Sequence, residues 1–365
     1  MHSSLAVRAF VALVLTSCVS APAFAQGAPA ALAECHAIQA DAERLACYDR
    51  LTGRGAPTAS TAPAVLPPSS SPAHGATGLA APASPVVAES AVAAAQPRPS
   101  ASLLEQSWGL EPDSPRYGLS WYRSNYLLVA RWSSKVNNEP FSPVFGAFDL
   151  PYKLQSTEAK FQLSGKLRLW SSEDRKWSVY AAYTQQNQWQ VYNENLSRPF
   201  RETNYMPEAF ITYAPDWSLG GGVKLRVVNF GYTHQSNGRG DPLSRSWDRI
   251  FLEGGFERGN LVVYGRAWYR IPEGDDKDDN PDITDYYGHG EISALYRWNG
   301  NTFTGSLRGN VSKHKGAVQL GWFSRPLFGP VRGYVQFFSG YGESMIDYNW
   351  NQTTIGAGIA LSDGL

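Results

Sequence analysis

From residue 117 to the end, polar and apolar side chains alternate in about twelve runs of roughly ten residues each. The clearest run is 158–170. Glu158, Lys160, Gln162, Ser164, Lys166 and Arg168 share one parity, while Ala159, Phe161, Leu163, Gly165, Leu167 and Leu169 share the other. Successive side chains of a strand point to opposite faces, so each run predicts a strand with one polar and one apolar face. The other runs are 177–192, 204–213, 223–236, 246–257, 261–270, 286–298, 302–312, 317–324, 331–341 and 353–361, with a first strand inside 121–132. One such strand would also suit a soluble sandwich. Repetition at a length that crosses a bilayer at a tilt predicts an all-β chain, an antiparallel transmembrane β-barrel of about twelve strands with its apolar face toward lipid. An even number closes the sheet and removes its edges.

The N-terminal third reads differently. Residues 1–25 have the parts of a signal peptide: Arg8, an apolar run over 9–19, and Ala23-Phe24-Ala25 before Gln26. Leu15-Thr16-Ser17-Cys18 offers a competing lipoprotein box with lipid on Cys18; ordinary cleavage is favoured because the apolar run continues to a good site. Either route takes the chain out of the cytoplasm, where Cys35 and Cys47 are expected to form a disulfide within a small helical module over 26–51. That module resembles small periplasmic modules and receives no function. Residues 52–102 are rich in Ala, Pro and Ser and predict a disordered linker. The barrel domain then spans 103–365.

Composition narrows the class. The 365 residues carry 32 basic and 32 acidic side chains, which gives no global basic field for nucleic acid. Aromatics make up 13% of the chain, as interfacial girdles require. Beyond the N-terminus no apolar run is long enough for a spanning helix.

The candidate chemistry lies in 231–249. His234 and Ser236 are two apart, so one strand face carries a general base beside a hydroxyl nucleophile. Asn237-Gly238-Arg239-Gly240-Asp241-Pro242 predicts a chain reversal. Asp248, on the returning strand, can reach the imidazole and hold its tautomer. Parity places His234 and Ser236 with Val228, Phe230 and Tyr232, and Asp248 with Ile250 and Leu252. The set is therefore expected on the lipid-facing side. The N–H of Gly238 is the candidate oxyanion donor. A lone His-x-Ser is common and is rarely catalytic.

The whole string closely resembles the active-site signature of the bacterial outer-membrane phospholipase A family, over roughly 125–365. The resemblance assigns His234, Ser236 and Asp248 as the catalytic set, although familiar members carry Asn at the third position. It implies a Ca²⁺ cofactor, bound when two barrels associate. The Arg239 carbonyl and Ser244 hydroxyl match its ligands, with the Ser197 carbonyl supplied by the second subunit. Asp241 and Asp279 match a further weak calcium site; taken alone, the acidic stretch 275–282 reads as a solvated loop. Gln185 matches a polar residue of the lipid-facing dimer surface, where a symmetry mate relieves the cost of an amide in hydrocarbon. The strings 198–205 and 339–344 match as loop and rim signatures without a catalytic role. His2, His36, His74, His289 and His314 lack such a neighbourhood. The implied function is calcium-dependent hydrolysis of membrane phospholipids by a homodimer that is silent as a monomer. Two other classes are weighed. One is a passive pore or structural barrel, and the other is a barrel protease, for which paired acids near His234 are missing.

Overall fold

The computed structural model describes Cys35 and residues 38–51, 102–197, 199–274 and 278–365. The expected signal peptide with Cys18, nearly all of the linker, and His2, His36 and His74 lie outside the described residues. The alternating runs fold as twelve long strands among the described residues. They are β1 (Asn125–Ser133), β2 (Thr157–Ser171), β3 (Trp177–Trp189), β4 (Phe200–Tyr213), β5 (Val223–Ser236), β6 (Ser246–Arg258), β7 (Leu261–Ile271), β8 (Gly290–Trp298), β9 (Asn301–Asn310), β10 (Lys315–Phe328), β11 (Val331–Tyr341) and β12 (Asn351–Ser362). Each pairs antiparallel with the next, and β12 returns to β1 with Ile355 opposite Trp132. The sheet is closed, so the strands satisfy one another's backbone groups where no water can. The helices α1 (Asp41–Leu51), α2 (Leu103–Trp108) and α3 (Ile283–Tyr287) accompany the strands.

Parity sorts the side chains as expected for a barrel in lipid. Lys160 is 0% and Lys166 1% exposed, whereas Leu163 is 54% exposed. This inverts the soluble pattern: charge is inside and hydrocarbon outside. Trp170 departs from the alternation. A bulge between Arg168 and Trp170 adds a residue against β3, so Trp170 turns outward into the exposed aromatic set with Trp177. Run boundaries also shift. The 177–192 run stops at Trp189, and β4 begins earlier, at Phe200. The 286–298 run starts only at Gly290, because Tyr286 and Tyr287 belong to α3. The Tyr287 hydroxyl donates to the Gly342 carbonyl at 2.9 Å, which ties α3 to the rim instead of the wall.

Ion pairs cross the lumen, which keeps a cavity of about 300 Å³ lined by Trp108, Arg249, Arg266 and Arg308 among others. Glu158 joins Arg131 at 2.8 Å and Arg201 at 3.0 Å; Arg201 continues to Asp347 at 2.9 Å, and Lys160 meets Glu343 at 3.0 Å. The rim signatures 198–205 and 339–344 thus supply Arg201 and Glu343 to this network. At the other end α2 enters the lumen. Its cap Ser102 and Glu105 exchange hydrogen bonds as a capping box, and the Glu257 carboxylate accepts from the N–H groups of Leu103 and Leu104 at 2.8 and 3.3 Å. The Trp108 indole donates to the Tyr264 hydroxyl at 2.9 Å, and the Lys166 ammonium lies 3.9 Å from the ring centre of Trp108. Six residues are too few for a helical period to show in sequence, and α2 was not expected.

The two ends of the barrel differ in their loops. Two-residue turns join β6 to β7, β8 to β9 and β10 to β11. Asn299 and Gly300 both have positive φ, 49° and 76°, the turn that follows strand twist best. Longer loops lie at the opposite rim, including 134–156, 237–245 and 272–289. In outer-membrane barrels the short turns face the periplasm. Separately, Cys35 and Cys47 form a disulfide with a Cα–Cα distance of 5.6 Å, and Cys47 lies in α1. Among the described residues no helix is long and apolar enough to cross a membrane.

The buried network sets a stability prediction. Arg201→Ala leaves Asp347 without its cation and Glu158 with Arg131 alone, and is expected to cost about 3–5 kcal/mol. Urea unfolding of the barrel in detergent, compared with the parent chain, checks this.

Candidate active site

The β5–β6 hairpin builds the site. Its register sets His234 opposite Asp248 and Ser236 opposite Ser246. Cross-strand neighbours on one face lie within side-chain reach. The His234 Nδ1 stands 2.8 Å from Asp248 Oδ1. An ionised carboxylate only accepts, so Nδ1 carries the proton and Nε2 is left as the acceptor. Ser236 follows on the same parity and is half-buried, as are His234 and Asp248. Exposed Phe230, Tyr232, Ile250 and Leu252 share this face, while Asn229, Thr233, Arg249 and Glu253 are buried on the other. The structure therefore pairs His234 with Asp248 and sets Ser236 on the same outer, apolar wall.

Tyr232 was not singled out from the sequence. Its hydroxyl donates to the same Asp248 Oδ1 at 2.6 Å. Asn237, a loop former by sequence, also staples the reversal. Its Oδ1 accepts from the backbone of Arg245 at 3.0 Å and of Arg239 at 3.3 Å, and its Nδ2 donates to the Leu243 carbonyl at 2.8 Å. Between these anchors Gly238 adopts φ +63°, and a Cβ there would lie 2.9 Å from a ring carbon of Tyr205. Tyr205 is itself the β4 register partner of Ser236. The glycine is thus required twice, by its backbone and by its neighbour.

The remaining expected residues fall into two groups. Near the hairpin, the Ser244 hydroxyl donates to the Asp279 carboxylate, and the Asp279 carbonyl accepts from Ser142 at 2.9 Å. The Arg239 guanidinium reaches Glu202 at 3.4 Å and the Arg201 carbonyl. Asp241 is exposed in the same loop. Ser197 lies elsewhere, exposed at φ 51° in the β3–β4 loop. Gln185 is on β3, where it accepts from the Tyr183 hydroxyl at 3.0 Å and donates to Asn187 at 3.1 Å. Its cost in hydrocarbon is thus partly met within its own chain.

The donors near Ser244 suit a hard cation: a carbonyl, a hydroxyl and carboxylates. Glu273 adds a carboxylate that sequence reading missed. Its Oε1 is buried without a hydrogen-bond partner. Burial, and then Asp278, push its carboxyl up to about 7. No cluster of three or more His, Cys, Asp or Glu side chains converges as a metal site among the described residues. A site built on backbone and hydroxyl oxygens needs none.

A closed barrel with an apolar belt defines a protein of the outer membrane. An imidazole–carboxylate pair beside a hydroxyl on that belt suits ester hydrolysis at the bilayer. The chain belongs to the phospholipase A1 family, whose model matches residues 104–361. It is 40% identical to phospholipase A1 of Klebsiella pneumoniae over 243 residues, covering 66% of this chain and 82% of that one. The phospholipase A1 of Escherichia coli K12 is also 40% identical, over 254 residues, covering 69% and 84%. Among solved structures, outer membrane phospholipase A of E. coli superposes with a TM-score of 0.61 at 38% identity, covering 68% of this chain and 99% of that one. An active-site variant of it, with asparagine replaced by alanine, gives 0.63 at 37% identity, covering 72% and 98%. A Salmonella typhi outer membrane phospholipase dimer with bound calcium gives 0.63 at 36% identity, covering 72% and 98%. The chain is thus a carboxylic-ester hydrolase of the outer membrane, and the passive pore and the protease are set aside.

Gly238→Ala is expected to lower hydrolysis about 100-fold by displacing the loop behind Ser236. Initial rates in mixed micelles, normalised to the folded fraction, check it.

Proposed function

We propose that the chain is a calcium-dependent phospholipase A1/A2, active as a homodimer, that cleaves acyl esters of glycerophospholipids. The observation that carries this reading is the 2.8 Å contact between His234 and Asp248 on the lipid-facing wall. For a pore that face is a wasteful place for polar groups. For an enzyme whose substrate is the bilayer it is where the ester arrives.

The residues take these roles. With Nδ1–H donated to Asp248, His234 Nε2 accepts the Ser236 proton as the oxygen attacks the acyl carbon. Gly238 N–H is the donor for the oxyanion. His234 then returns the proton to the departing alkoxide, which leaves as the lysolipid. Water repeats the sequence on the acyl-serine and frees the fatty acid. The hairpin lies at the long-loop rim, so the ester is taken from the outer leaflet.

Arg239 and Ser244, with Ser197 of a second copy, would hold Ca²⁺, with Asp241 and Asp279 beside a weaker site. When bound, the cation would supply charge that polarises the ester carbonyl. Two observations support it: the oxygen-only donors with Glu273 Oε1, which faces Arg270 at 3.9 Å but accepts no hydrogen bond, and the calcium-bound dimer among the related structures. Gln185 supports pairing of two barrels. Its bonds to Tyr183 and Asn187 use one acceptor site and one N–H, which leaves a second of each for a symmetry mate. A leader over 1–25 and a linker over 52–102 complete the reading, with the Cys35–Cys47 module on the periplasmic side.

Ser236→Ala is expected to lower phospholipid hydrolysis by roughly 10⁴-fold, and chelation of calcium to silence the parent chain. An equally active Ser236→Ala protein overturns the assignment. Asp248→Asn keeps an acceptor for the imidazole N–H and is expected to retain activity within about ten-fold, the difference between a charged and a neutral acceptor. Rates with and without chelator, for all three chains, decide both points.

A further inference from the structure

We propose that Tyr232 is a positioning residue of this site, holding Asp248 and through it the ring of His234; the inference rests on the acyl-transfer reading above. One oxygen, Asp248 Oδ1, takes two donors: the Tyr232 hydroxyl at 2.6 Å and His234 Nδ1 at 2.8 Å. Tyr232 precedes His234 by two residues on β5, so both side chains leave the same face. Its register partner is Ile250, which makes Asp248 its diagonal neighbour on β6, a separation that an aromatic side chain spans.

The physical need arises from the wall itself. A carboxylate on a face shared with Phe230, Ile250 and Leu252 cannot rely on bulk water for its second shell of donors. The imidazole supplies one N–H. Without another donor the carboxylate is free to rotate about its own axis and carry the imidazole with it. The phenol is well suited to the task. It has two rotatable side-chain bonds, its ring is at home among apolar neighbours, and its single hydroxyl proton is committed to Asp248. A hydroxyl bonded to an ionised acceptor is also stronger than one bonded to an amide. The phenol therefore gains importance from the carboxylate that stands here in place of the asparagine of familiar relatives.

The bland alternative is that Tyr232 is one more aromatic of the interfacial belt. Tyr232→Phe separates the two, because it keeps the ring and deletes only the hydroxyl. We compare the full chain with Tyr232→Phe, Asp248→Ala and the double variant, in mixed micelles with saturating calcium. In the parent background Tyr232→Phe is expected to lower kcat about ten-fold while KM stays within about two-fold and the unfolding transition does not move. In the Asp248→Ala background the same change is expected to alter kcat by less than about two-fold, since the hydroxyl acts through the missing carboxylate. Full activity of Tyr232→Phe overturns the proposal, and so does an equal loss in both backgrounds or an effect on KM alone. The Ser236→Ala rate separates the two levels. If that variant stays active, the acyl-transfer reading itself fails; if it is dead while Tyr232→Phe is fully active, only the role of Tyr232 is lost.

Discussion

The closed antiparallel sheet is the constraint from which the rest follows. In hydrocarbon every strand N–H and C=O must find a partner, and closing β12 onto β1 is how this chain meets that demand. Once the backbone is fixed in this way, each side chain has only two destinations, set by parity. Lumen positions collect Glu158 and Arg201, which pair with each other, Lys160, which pairs with Glu343, and Lys166, which lies over the ring of Trp108. Outer positions collect Leu163, Phe230 and Leu252, which meet lipid.

The same rule makes the active-site hairpin unusual. His234, Ser236 and Asp248 occupy outer positions, and in that place polar groups persist only if they satisfy one another. The local bonding fits that demand: Asp248 receives His234 and Tyr232, and Gln185 is held between Tyr183 and Asn187. Meanwhile the loop that follows Ser236 is fastened to the rim by Asn237, not left to find its shape in solvent. A base with a fixed tautomer, a neighbouring hydroxyl and a rigid backbone turn are thereby presented to the bilayer from a single hairpin.

Much of this was legible in the sequence because the period of a strand is two and the barrel repeats it twelve times. Val223–Ser236 and Val331–Tyr341 were read to the residue, since turn formers bound them sharply. The face of the catalytic residues could be read by counting from Phe230 and Ile250. What escaped notice is of three kinds. Elements too short to show a period, α2 and α3, were absent or taken for strand. The bulge at Trp170 breaks parity without a sequence mark. Contacts that cross strands diagonally, such as Tyr232 to Asp248, or that close within one strand, such as Tyr183 to Gln185, depend on register and rotamer, which a string of letters does not carry. Glu273 was passed over for a related reason. Its lost hydration and the charge of Asp278 acting on it are products of three-dimensional placement.

On this mechanism a serine on the lipid face carries the acyl group in transit. The most direct measurement is to mix the calcium-loaded barrel with an isotope-labelled glycerophospholipid, quench in acid within one turnover, and map acyl mass by peptide mass spectrometry. Labelled acyl ester is expected on Ser236, and is expected to be lost when His234 is replaced by alanine. Hydrolysis at full rate with no acyl-serine formed, or with the label on another residue, would contradict this mechanism.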